Sequence, residues 1–140
     1  MEGEVVIEVP ARLDYLAVVR LVVTTAASLE PPLSESKLDD LRLAVSEACS
    51  NAIKAHARAR RDEPVVVRCS IEPDRFVVEI RDRGAGFDPD NLSDLPAATD
   101  PERLKHEGGL GIPLIQVLTD DVSFAQTEDG MLVRMTMLRT

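Results

Sequence analysis

Residues 84–111 carry glycines, prolines and acids but no sustained apolar period. Regular patterns flank this stretch, so the ordered parts must fold around a long irregular insertion. Within a compact chain, a loop of that length is a functional lid or a disordered segment. Before it, residues 65–71 and 75–81 alternate apolar and polar side chains around Glu72-Pro73-Asp74, which predicts a hairpin. After it, residues 111–118 read as a helix. Residues 122–125 and 132–138 then make a second hairpin, turned at Glu128-Asp129-Gly130.

The N-terminal half is more regular. Residues 5–9 are β-branched and stop at Pro10, as a strand does at a residue without an N–H. Leu13, Leu16, Val19, Val23 and Ala27 recur at helical spacing, so an amphipathic helix is expected over about 12–29, ended by Pro31-Pro32. Ser34 and Ser36 offer caps for a second helix over 35–60, with Leu38, Leu41, Val45, Ala48 and Ala52 as its buried stripe. The order is strand, helix, helix, two strands, lid, helix, two strands. It predicts an α+β fold in two layers: a mixed, mostly antiparallel sheet with helices on one face. One domain is expected over 1–140, with a lid at about 88–108.

Composition removes several functions. In 140 residues there are 16 Lys plus Arg against 25 Asp plus Glu, a formal net charge of -9. Nucleic-acid binding draws on positive charge to displace counterions, so no direct nucleic-acid partner is expected. Aromatics are 3% with no Trp, which leaves no platform for stacking bases. Two cysteines, Cys49 and Cys69, make no disulfide framework and too few ligands for a zinc site. No apolar run reaches membrane-spanning length, and Met-Glu-Gly-Glu lacks the basic start of a signal peptide. A cytoplasmic, reduced setting is expected, with no membrane partner.

Three places carry polar chemistry. On the second helix, Glu47, Asn51 and Lys54 stand at i, i+4 and i+7 and share a face apart from the buried stripe. Ala44, Ala48, Ser50 and Ala52 leave space around them. A carboxylate beside a carboxamide suits a metal-bound polar ligand: Asn supplies a neutral oxygen, and Glu orients or deprotonates a nucleophile. A solvated helix face has the same pattern. In Arg81-Asp82-Arg83-Gly84-Ala85-Gly86, Asp82 shares strand parity with Phe76, Val78 and Ile80, so its carboxylate aims at the apolar side and needs a donor there. A purine amino group fits, with Gly84 and Gly86 letting a flat ligand approach; so does a turn in which Asp82 caps local amides. In Glu107-Gly108-Gly109-Leu110-Gly111, glycines lead into a helix whose free amides suit phosphates. The alternative is a plain hinge.

Taken in order, Glu47 and Asn51 on a helix, Asp82-Arg83-Gly84-Ala85-Gly86, a long loop and Gly109-Leu110-Gly111 resemble the GHKL ATPase superfamily with its Bergerat ATP-binding fold. Ala44-Val45-Ser46-Glu47-Ala48-Cys49-Ser50-Asn51-Ala52 is similar to the bacterial anti-sigma-factor serine/threonine kinases, as are Glu107-Gly108-Gly109-Leu110-Gly111 and Thr119-Asp120-Asp121-Val122. The resemblance implies ATP and Mg2+ as cofactors. It implies Asn51 as the magnesium ligand and Glu47 as the base for the acceptor hydroxyl. Asp82 would take the adenine amino group, with Gly84 and Gly86 beside the base. Gly108, Gly109, Leu110 and Gly111 would hold phosphates, and Thr136 would serve the adenine site, although its parity groups it with Leu132 and Leu138. Implied partners are a sigma factor of RNA polymerase and an anti-sigma-factor antagonist that accepts the phosphate, with a homodimer expected. Two departures stand out: Ala55 sits where the subfamily has His, with His56 one residue later, and Met131 sits where a Thr is common.

Two other functions remain open on the sequence. A non-catalytic ATP-dependent binding module has less need of Glu47. The ATP-binding half of a histidine kinase calls for an upstream helix bearing a phosphorylatable His, which this sequence does not contain.

Overall fold

The computed structural model describes residues 2–29, 32–84, 111–128 and 130–139. Strand β1 spans Gly3–Val9, β2 Val65–Ile71, β3 Arg75–Asp82, β4 Asp121–Gln126 and β5 Met131–Leu138. Helix α1 spans Leu16–Ala27, α2 Glu35–Ala59 and α3 Gly111–Leu118. The lid expected at 88–108 lies outside the described residues.

The five strands form one sheet in the order β1-β2-β3-β5-β4. Among the described residues all four pairings are antiparallel, where the sequence led us to expect a mixed, mostly antiparallel sheet. The cause is the place of β5: β4 takes the far edge, and β5 pairs with both β3 and β4, antiparallel to each.

Pleat parity separates the two faces of the sheet. Phe76, Val78, Ile80 and Asp82 of β3 stand in register with Met137, Met135, Val133 and Met131 of β5. All eight are buried. The helices cover this face, where Val19, Val23, Leu41, Val45 and Ala48 join the core. Each such Val or Leu taken out of water stabilises the fold by about 1.5–3 kcal/mol. On the open face, Arg68, Glu79 and Arg134 lie side by side across β2, β3 and β5. Opposite charges facing one another across strands contribute about 0.2–1 kcal/mol per pair.

Helix α2 begins where its sequence says it should. The Ser34 hydroxyl accepts the Lys37 amide at 3.2 Å, satisfying one of the free N–H groups of the first turn. The helix ends at Arg60, which adopts the left-handed conformation at φ 54°. There the Arg61 amide donates to the His56 carbonyl at 2.9 Å and the Arg60 amide to Ala57 at 3.2 Å, the paired bonds of a Schellman cap. Helix α1 is shorter than its apolar period suggests. A 3-10 turn, Leu13–Tyr15, precedes it. The tighter pitch breaks the helical phase, so Leu13 is 53% exposed rather than in the core.

Two glycines are fixed by close backbone approach. A Cβ on Gly84 would lie 2.6 Å from Ala55 Cβ and nearer still to the Ala55 carbonyl group of α2. A Cβ on Gly130 would lie 2.8 Å from Arg83 Cα and nearer still to the Asp82 carbonyl. The end of β3 is thus pressed between α2 and the start of β5. Gly84→Ala and Gly130→Ala each force backbone apart. We expect each to lose at least about 1–3 kcal/mol in urea unfolding, the range for overpacked sites. A variant as stable as the wild type would contradict this packing.

Candidate functional site

The site is built on α2 and the end of β3. Glu47 and Asn51 lie one turn apart on α2, and both are partly buried. Lys54, a further turn along, is also partly buried rather than fully in solvent. Their neighbours Ala44, Ala48 and Ala52 are buried, so the pair borders the core instead of standing on a solvated face. The stripe Leu41, Val45, Ala48 and Ala52 is buried as expected; Leu38 is partly buried.

Asp82 points to the helix side of the sheet, as its parity with Phe76, Val78 and Ile80 requires, and is 5% exposed. Its Oδ1 accepts the Gly84 amide at 2.9 Å. The turn reading and the inward reading are therefore both correct: one oxygen caps the turn while the carboxylate stays inside. Burial pushes its pKa above the ordinary value; the amides of Gly84 and Met131 act against the rise. An inward carboxylate held at such a cost is a candidate for ligand recognition.

His56 was not among the site residues expected from the sequence. It is fully buried, and its Nε2 accepts the Arg83 amide at 2.8 Å. The signal was its place four residues after Ala52, which continues the buried stripe. Ala55, where the subfamily pattern has His, packs against Gly84. Contact with α2 by itself constrains Gly84 to have no side chain.

Thr136 is corrected. It pairs with Val77, so it lies on the face of the sheet away from Asp82, and cannot serve a pocket on the helix side. Met131, in register with Asp82 and buried, takes the place beside that carboxylate. Gly111 opens α3, whose buried residue Ile115 joins the core. Gly86, Gly108, Gly109 and Leu110 lie outside the described residues. A cavity of about 190 Å³ lined by Arg68, Glu79, Arg81, Arg83 and Leu132 opens on the helix-free face, apart from these groups. Cys49 and Cys69 are buried, and burial pushes their thiols up to about 11 and about 12, so both are packing residues rather than nucleophiles.

An antiparallel five-stranded sheet, helices on one face and an inward aspartate facing a Glu/Asn helix define an ATP-binding domain of the GHKL type. The chain belongs to the histidine kinase-like ATPase domain family, whose model matches residues 9–137. Among its relatives, it is 34% identical over 135 residues to the serine-protein kinase RsbW of Bacillus pumilus, covering 92% of this chain and 82% of that protein. It is 34% identical over 132 residues to the serine-protein kinase RsbW of Bacillus subtilis, covering 92% of this chain and 81% of that one. Its fold is similar to the structure of the RsbU and RsbW domains of Rv1364c from Mycobacterium tuberculosis. The TM-score is 0.68 at 17% identity, over 97% of this chain and 32% of that longer one. No helix among the described residues is long and apolar enough to cross a membrane.

The raised pKa of Asp82 has a thermodynamic consequence. A carboxyl whose pKa is higher folded than unfolded weakens the fold once pH exceeds its folded pKa. The penalty disappears below its unfolded value, about 3.9. Asp82→Asn keeps an oxygen for the Gly84 amide and removes the charge. We expect it to melt higher than the wild type at pH 7, with the gap closing below about pH 4. A variant less stable at pH 7 would overturn this assignment of strain.

Proposed function

We propose that this chain is an ATP-dependent serine protein kinase that phosphorylates an anti-sigma-factor antagonist and, in the absence of that antagonist, holds a sigma factor inactive. The observation that carries the reading is the placement of Glu47 and Asn51 on the partly buried face of α2, which packs on the strand whose end turns Asp82 inward. The kinase names of its relatives support the same reaction.

Each group has a role that follows from its chemistry. Asp82 accepts the amino group of adenine, a donor that repays part of its burial. A guanine presents a carbonyl oxygen there instead and is repelled. Asn51 offers a neutral oxygen to Mg2+. Magnesium keeps most of its ligands from phosphate and water, so one carboxamide beside a single carboxylate fits it better than it fits a cation needing an all-protein cage. When bound, the metal neutralises phosphate charge, which an acidic chain must import. Glu47 accepts the proton of the antagonist's serine hydroxyl as that oxygen attacks the γ-phosphorus and the bond to ADP breaks. By the family resemblance, Gly108, Gly109, Leu110 and Gly111 are assigned to the phosphates and Gly86 to the base. The chain works in the cytoplasm, as a homodimer.

Transfer and binding separate in one variant. Incubated with labelled ATP and the antagonist, Glu47→Ala is expected to lose at least about a hundredfold in phosphorylation, the scale of general-base catalysis. Its calorimetric affinity for Mg-ATP is expected to stay within about threefold of the wild type. Retained phosphorylation would remove Glu47 as the base. Wild-type protein that binds Mg-ATP without labelling any antagonist would point instead to a non-catalytic binding module.

A further inference from the structure

His56 has an unusual set of partners for a core residue. It is 0% exposed, its Nε2 accepts the Arg83 amide at 2.8 Å, and its Nδ1 is buried with no partner among the described residues. The Arg83 amide has one hydrogen and donates it, so Nε2 carries none. In the neutral ring the proton then sits on Nδ1. That leaves a buried N–H unsatisfied, a cost an apolar side chain of similar size would avoid. Packing alone does not account for a histidine here; its acceptor nitrogen does.

The acceptor acts on the turn that carries Asp82. Arg83 follows Asp82, and Gly84 both caps Asp82 Oδ1 and rests on Ala55. The backbone of His56 is held in the cap of α2, where its carbonyl takes the Arg61 amide, and its ring is fully buried. A rigid helix end therefore holds the one backbone amide between the aspartate and its capping glycine. We propose that His56 is the positioning residue for the base-reading aspartate: through Arg83 it fixes the Asp82 turn in the orientation that selects adenine. This deepens the nucleotide-binding reading above and rests on it.

The role separates recognition of the base from the rest of the nucleotide. Freed from His56, the turn lets the carboxylate wander, so adenine loses its acceptor and guanine loses its repulsion. The test is calorimetric binding of Mg-ATP and Mg-GTP to three full-length proteins. His56→Phe, which fills the space without an acceptor, is expected to weaken ATP at least about tenfold while GTP changes less than about threefold. His56→Gln, whose Oε1 reaches a place near that of Nε2, is expected to keep both affinities within about threefold of the wild type. Wild-type affinity and discrimination in His56→Phe would overturn the proposal, as would a folded His56→Gln that behaves like His56→Phe. Should His56→Phe not fold, nitrogen NMR of the wild type decides. A proton on Nδ1 with a slowly exchanging Arg83 amide supports the clamp, and a proton on Nε2 refutes it. Wild-type protein that binds neither nucleotide would sink the functional reading, while tautomer and amide exchange still report on the clamp itself.

Discussion

The close approach of three backbone segments around the end of β3 governs the rest of this molecule. Ala55 of α2 touches Gly84 on one side, and Gly130 ahead of β5 meets the Asp82 carbonyl on the other. With no side chain at either glycine, helix and strands close to backbone contact. That closure buries Asp82 on the helix side and brings the helix bearing Glu47 and Asn51 against the strand bearing the aspartate. A larger residue at either position would open the site before it reached the core.

The site also shows where the fold accepts strain. Most buried polar groups are matched with partners; Asp82 is matched only in part, and burial raises its pKa despite two nearby amides. An apolar residue there would suit the core better. The same holds for the orphaned Nδ1 of His56. Both mismatches lie at one corner of the fold, where α2 ends and β3 turns. At the far end of α2, Asp120 is well supplied with donors. Lys37 Nζ lies 3.1 Å from Asp120 Oδ2, which also accepts the Leu138 amide at 2.7 Å. Burial acts to raise the Asp120 pKa, but the Leu138 amide and the Lys37 ammonium hold it below its usual value. Unmet demand is not confined to one end, because the Nη1 and Nη2 atoms of Arg139, which follows Leu138, are also buried without a hydrogen-bond partner among the described residues.

Much of this was legible in the sequence, because local rules and tertiary packing agree over most of the chain. Strand parity alone put Asp82 on the apolar side with Phe76, Val78 and Ile80. Ser34 marked the start of α2, and the apolar period marked its buried stripe. What failed depended on distant partners. Among the described residues the sheet is antiparallel throughout because β5 also pairs with β3, a contact no local pattern encodes. Leu13 fell out of the core because a 3-10 turn broke the phase of α1. Thr136 entered the site by family resemblance against its own parity, and parity was right. The contact of Gly84 with Ala55 was likewise not legible, since it joins residues 29 positions apart. The burial of His56 could be read from its place on the stripe of α2; its use as an acceptor needed the path of Arg83.

The central claim is that a single pocket between α2 and the end of β3 reads adenine and positions the nucleotide for transfer. Its most direct test is a crystal structure of the protein with magnesium and a non-hydrolysable ATP analogue. The account predicts the adenine amino group within hydrogen-bonding distance of Asp82, the Asn51 side-chain oxygen on the metal, and Glu47 facing the terminal phosphate. A nucleotide seated on the open face of the sheet, or an Asp82 carboxylate turned out to bulk water, would contradict it.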